Sequence, residues 1–354
     1  MTVTVREWGR LPTGERILMA RLADASGLEA RIMNYGATVT SIRCRDRAEI
    51  VDEVVLGFDS FLDYLTPDLQ ARWPYLGSTL GRYANRIAGA SFVIDGTRYA
   101  LSANDGRNHL HGGLRGFDRA VWTMHPIAGA NGVALSLVSP DGEQGYPGHL
   151  GVHLDILLEG LGELVFRYRA CTDRPTHVNL TSHCYFNLGG SSSSSVADHE
   201  LQISASRVIP VDGAALPTGP PIEVAGSGLD LRNMSLLAHT LARTDPQIAT
   251  AAGVNHCYAL DRPGIDHVAA ILWHPPSGRQ LSLRTTAPGL QLYTANHFDG
   301  TLRGRHGHPW LRHCAAALEP QYFPDSPNRR DFPTTLLRPG DWFRAETRMR
   351  FGTR

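Results

Sequence analysis

The sequence contains no lysine; all 34 of its basic side chains are arginines. They include positions in polar loops where arginine has no special task, so the absence reads as a coding bias. Neither sign of charge is in excess, with 34 acidic against 34 basic residues, and no basic field marks a nucleic-acid binder. No stretch approaches the ~18 consecutive apolar residues of a membrane span. Residues 1–20, MTVTVREWGRLPTGERILMA, lack the basic-then-apolar layout of a secretory signal. The five cysteines, Cys44, Cys171, Cys184, Cys257 and Cys314, are odd in number, widely spaced and form no C-x-x-C. A reduced, cytoplasmic protein fits that usage best. No G-x-G-x-x-G follows a strand-like run and no βαβ alternation is visible, which excludes a dinucleotide-binding domain. A G-x-S-x-G elbow is also missing, and no cysteine has an evident activating partner, so a nucleophilic route is disfavoured.

What the chain has in quantity is strand signal. Of its 354 residues 42% are hydrophobic, ample for a large core. In SFVIDGTRYAL, Asp95-Gly96 separates two short β-prone runs, and a type I′ hairpin turn needs the positive φ that Asp-Gly supplies. Over residues 162–171, Leu164, Phe166, Tyr168 and Ala170 fall on one face, and Val165, Arg167 and Arg169 on the other. Residues 132–139 and 149–158 read the same way. Helical signals are few: 58–65, with Asp59 or Ser60 as cap, and 234–242. GGSSSSS (189–195) is the low-complexity stretch and predicts a flexible surface loop. With no composition break and no short repeat, the pattern predicts a large antiparallel all-β protein.

Four polar clusters stand out against this background. In GRYANRIAGA (81–90), Arg82 and Arg86 flank Asn85; an arginine fork clamps carboxylates, phosphates or vicinal hydroxyls, and the plainer alternative is a surface ion pair. In NHLHGG (108–113), His109 and His111 are two apart and predicted to point the same way on a strand; nothing nearby completes a metal set, and the alternative is a turn with two structural histidines. His183, in NLTSHCYFNLGG (179–190), ends an apolar strand as either a hydrogen-bonded core histidine or an acid–base group. Glu319 closes the apolar run Cys314-Ala315-Ala316-Ala317-Leu318, with Pro320 behind it to end the strand. A carboxylate there is costly unless paired, hydrogen-bonded or protonated. One Glu and one His suit proton transfer on two sides of a small substrate better than glycoside hydrolysis, which normally uses two carboxylates.

Taken in order, these clusters resemble the aldose 1-epimerase (galactose mutarotase) family. The likeness runs through NYGATVTSI, VVLGFDSFLDY, LGRYANRIAGASFVIDG, NHLHGGLRGFDRAVW, SPDGEQGYPG, NLTSHCYFNLGG, LDLR, PGLQLYTANHFDG, LEPQYFPDSPN and LLRPGD, covering nearly the whole chain. The resemblance implies one β-sandwich domain over residues 1–354, with few short helices, an open cleft and neither metal nor organic cofactor. It implies Glu319 as general base and His183 as general acid. It implies Asn85, Arg86, His111, Tyr185, Asn255 and Gln291 as sugar contacts completing the cleft. The implied partner is a free aldose of the glucose or galactose type, with no nucleic acid and no membrane; monomer and homodimer both stay open. One departure is visible: where the family has Asp-His, GVNHCYAL has Asn255-His256, which keeps an acceptor, loses a charge and gains an NH₂ donor. A hexose 6-phosphate epimerase, with Arg82 toward the phosphate, and a sugar-binding protein without turnover are the alternatives.

Overall fold

A computed structural model describes residues 3–354. Its strands pair antiparallel throughout three large sheets. Five strands between Thr4 and Glu53 form a meander. A nine-stranded sheet runs in the order Thr123–Pro126, Gly132–Ser139, Leu150–Glu159, Glu163–Thr172, Phe343–Thr353, Arg279–Thr285, Ala270–Trp273, Glu200–Ile203, Ser235–Leu236. The third has six strands, in the order Tyr185–Phe186, Ala316–Gln321, Gly289–Tyr293, Asn255–Ala259, Arg207–Val208, Ile222–Glu223.

The sheets are held face to face by one apolar core, as period-2 alternation requires. Leu164, Phe166, Tyr168 and Ala170 pack there from the nine-stranded sheet, the face read from the sequence. Leu290, Leu292, Ala316, Leu318 and Phe186 meet them from the six-stranded sheet, and Leu22 and Ile32 from the meander. Three α-helices of five or six residues each are the only α-helices among the described residues. The all-β β-sandwich is therefore the observed class.

Asp95 and Gly96, at φ 49° and 81°, turn the Ser91–Ile94 strand into Thr97–Ala100. Ser60 caps a single 3₁₀ turn, Phe61–Leu65, and Leu237–Ala242 is helical. The serine run is an irregular, partly exposed loop, as its composition predicts, anchored at two points: Ser191 N–H donates to Asp52 at 3.1 Å and the Asn187 amide donates to the Ser193 carbonyl at 3.3 Å. Pro320 is a correction. It does not end its strand but pairs opposite Leu290, and Gln321 still pairs with Gly289. The neighbouring Tyr185–Phe186 strand pairs only with Ala317 and Ala316, so Pro320 lies beyond that contact, at an edge where proline is tolerated.

Candidate active site

Alternation along the six-stranded sheet decides which side chains reach its outer face. Ala316 and Leu318 enter the core, so Ala317 and Glu319 must face the other way. Register then sets their neighbours. Glu319 lies opposite Gln291, which lies opposite Cys257; one rung along, Tyr185, Ala317, Tyr293 and Asn255 form a parallel row. Over this face opens a cleft of about 320 Å³, lined by Trp73, Tyr75, Asn85, Arg86, His111, His183, Tyr185, Asn255, Tyr293 and Glu319 among others.

His183 is held at the floor by its backbone, which donates to Ser78 O and accepts from Gly77 N–H, both at 2.9 Å. Its Nε2 stands 3.6 Å from Glu319 Oε1, and both side chains are almost wholly buried. The imidazole packs against Tyr185 (centroids 4.7 Å apart) and stacks on Tyr75 (6.0 Å). That apolar cage disfavours charge. Burial pushes the Glu319 carboxyl up to about 8 against the opposing charge of Arg86, and pushes the His183 imidazole down to about 4. Glu319 Oε2 and His183 Nδ1 have no hydrogen-bond partner in the protein, an uncommon state for buried polar atoms.

The sugar-contact candidates separate into two groups. Asn85, at φ 68°, donates its backbone N–H to His111 Nδ1 at 3.1 Å, and His111 N–H returns a bond to Asn85 O at 3.1 Å. An accepting Nδ1 puts the His111 proton on Nε2, so the neutral ring offers one N–H donor. Arg86 is steered by Asp105, whose Oδ2 accepts from Nε at 2.7 Å. Asn255 lines the cleft, with Oδ1 accepting from Gln291 Nε2 at 2.7 Å. Gln291, opposite Glu319 in register, is buried beside Asn255 and orients its amide, and its own Oε1 has no hydrogen-bond partner in the protein.

His109 and His111 do not point the same way. The His109–Leu110 strand ends before His111, whose φ of 52° turns its ring into the cleft. His109 instead spans Ser102 O and the Tyr146 hydroxyl, at 2.7 and 2.8 Å, as a structural histidine. The turn depends on Gly112, at φ 90°, where a Cβ would lie 1.8 Å from Gly81 O. Gly112→Ala is therefore expected to lower the unfolding free energy by about 2–3 kcal/mol, read as a fall in Tm; an unchanged Tm would contradict this packing.

Arg82 is neither on the surface nor in the cleft. It is buried, donating to the Ser139 hydroxyl at 2.7 Å and to the carbonyls of Ser139, Pro140 and Pro147. No sequence pattern marks the Trp73–Tyr75 wall of the cleft. Both residues have positive φ, 24° and 58°, which no residue pattern announces.

Two groups bring metal-ligating atoms within 4.8 Å: His111 with His183 and Glu319, and Asp198 with His199 and His274. Neither donor set suits a metal. His111 carries its proton on the nitrogen facing the cleft. His199 Nε2 accepts from Leu188 N–H at 2.8 Å, so its Nδ1 proton goes to Asp198. Each set is left with two free ligands.

A buried carboxylate–imidazole pair at the floor of a cleft of about 320 Å³ in a β-sandwich brings together the groups that acid–base chemistry on a small molecule requires. The chain belongs to the aldose 1-epimerase family, whose profile matches residues 19–350. It is 41% identical to human galactose mutarotase over 350 residues, covering 99% of this chain and 98% of that one. It is 36% identical to the aldose 1-epimerase of Escherichia coli K12, over 96% of both. The crystal structure of galactose 1-epimerase from Lactobacillus acidophilus NCFM superposes with a TM-score of 0.86 at 28% identity, covering 99% of each chain. No helix among the described residues is long and apolar enough to cross a membrane.

Proposed function

We propose that this protein is an aldose 1-epimerase, an isomerase that interconverts the α and β anomers of free aldohexoses of the galactose and glucose type. The observation that carries the reading is the His183–Glu319 pair, 3.6 Å apart and buried at the cleft floor. In a pyranose, O1 and O5 are both bonded to C1, so a base and an acid this close reach both together. Glu319, as carboxylate, takes the O1 proton while His183, as imidazolium, protonates O5. The C1–O5 bond breaks and the open-chain aldehyde forms. Glu319 is then the acid and His183 the neutral base. Rotation about C1–C2 presents the other carbonyl face, and reclosure with these roles restores the starting protonation. Arg86, the His111 Nε2–H and the Asn255 amide hold the open chain so that O5, among several hydroxyls, closes the ring.

The proton count supports the cycle. With Glu319 at about 8 and His183 at about 4, the pair holds one proton across neutral pH. Burial favours that proton on the carboxylate, the arrangement needed after ring opening; transfer to His183 gives the arrangement needed before it.

An unphosphorylated substrate is favoured by charge. The two cleft arginines are each neutralised, Arg86 by Asp105 at 2.7 Å and Arg72 by Asp299 at 2.9 Å, and Arg82 is spent on backbone carbonyls. Turnover of galactose but not galactose 6-phosphate is expected in a polarimetric assay. The reverse order would favour the hexose-phosphate reading, and sugar binding with no turnover the non-catalytic one. One domain over residues 1–354 is part of the proposal, supported by the shared core of the three sheets. A reducing cytoplasmic setting is supported by five free cysteines, four of them buried.

Asn255 bears on which sugar is preferred. Asn255→Asp keeps an acceptor for Gln291 but replaces the NH₂ donor with charge. It is expected to change KM, or the ranking of galactose and glucose, by about 2- to 10-fold, with kcat little altered. An inactive wild type beside an active Asp variant would sink the proposal.

A further inference from the structure

Trp73 is held rigid by groups that take no part in the acid–base pair. It follows the Pro67–Arg72 helix at φ 24° and ψ 82°, an unusual conformation for a bulky residue and one kept only where surroundings enforce it. Its indole N–H donates to Asp118 Oδ2 at 2.5 Å. The Arg119 guanidinium lies 4.2 Å from its ring centroid, and Tyr35 meets its edge at 6.3 Å and 72°. Arg119 is fixed in turn by Gln70, whose Oε1 accepts from Nη1 at 2.8 Å. Asp118 is itself buried, with Oδ1 unpartnered. Asp118 Oδ2 also lies 3.9 Å from Arg119 Nε, so a buried carboxylate and its guanidinium partner both converge on one indole, a costly arrangement for a ring that merely fills space. Trp73 lines the cleft, whereas Asp118 and Arg119 do not, so these two grip the ring from outside.

We propose that the ring face of Trp73 turned away from Arg119 is the stacking platform for the C–H face of the sugar, with Asp118 and Arg119 as its positioning residues. The inference rests on the epimerase reading of the same cleft and adds a selectivity to it. An aromatic face recognises contiguous C–H groups by burying them. In galactose the axial O4 places H-3, H-4 and H-5 on one side of the ring; in glucose H-4 lies on the other. The platform therefore discriminates between these two sugars without touching the anomeric centre.

The test compares wild type, Trp73→Ala and Trp73→Phe for mutarotation of D-galactose and D-glucose, and for D-galactose binding by calorimetry. Trp73→Ala should raise the KM and Kd for galactose about fivefold, glucose less, with kcat within about twofold. Trp73→Phe, which keeps an aromatic face, should retain most of the affinity. Unchanged galactose affinity in a folded Trp73→Ala protein would overturn the platform, as would a fall in kcat at constant KM or an equal loss for both sugars. If no variant turns over any sugar, the epimerase reading fails, and the binding titration still decides the platform.

Discussion

Glu319→Gln is expected to lower kcat by about 10²–10⁴-fold while leaving sugar binding in place. The amide keeps the shape of the carboxyl but cannot accept the O1 proton. Arg86, His111 and Asn255 are untouched, so a calorimetric titration with galactose should still saturate. The fold should tolerate the change well. Burial raises the Glu319 carboxyl from its ordinary 4.5 to about 8, so between those values the folded chain keeps a proton that the unfolded chain has lost. This group's contribution to stability therefore falls as pH rises across that window. The Gln variant lacks the decline, and its Tm relative to wild type should improve toward the alkaline end. Full activity in Glu319→Gln would remove Glu319 from the chemistry.

The pH dependence of kcat/KM is the second large effect. In the proposed mechanism, turnover needs the pair to hold a single proton. Below about 4, His183 gains a second proton and no base remains; above about 8, Glu319 loses the last one and no acid remains. The rate should be level between those values and fall about tenfold per pH unit beyond each. Both limbs belong to the coupled pair and not to either residue alone. Stopped-flow or polarimetric rates across the range check this. A flat profile from about pH 4 to about pH 10 would contradict the assignment.

Much of this site is legible in the residues because its logic is that of a strand. An acid ending an apolar run must face away from the core, and Glu319 does; period 2 puts Leu318 inside and Glu319 on the cleft. The Asp95-Gly96 hairpin and the Leu164-to-Ala170 face follow from the same short-range rules. What is not legible depends on backbone turns and on contacts between distant segments. His111 escapes strand reasoning because its φ is positive, and Trp73 and Tyr75 reach the cleft for the same reason. Gln291 alternates onto the cleft side, where its amide is engaged by Asn255, a contact that spans 36 residues. Arg82 looks like a ligand for anions, but its partners are carbonyls 57 to 65 residues away.

Ring opening and reclosure by the His183–Glu319 pair can be followed in the optical rotation of freshly dissolved α-D-galactose at neutral pH, with wild-type protein, with Glu319→Gln and with no protein. Wild type should reach the uncatalysed endpoint at a rate proportional to enzyme concentration, while the variant trace stays near the blank. A wild-type trace that coincides with the blank, or a variant as fast as wild type, would contradict that role of the pair.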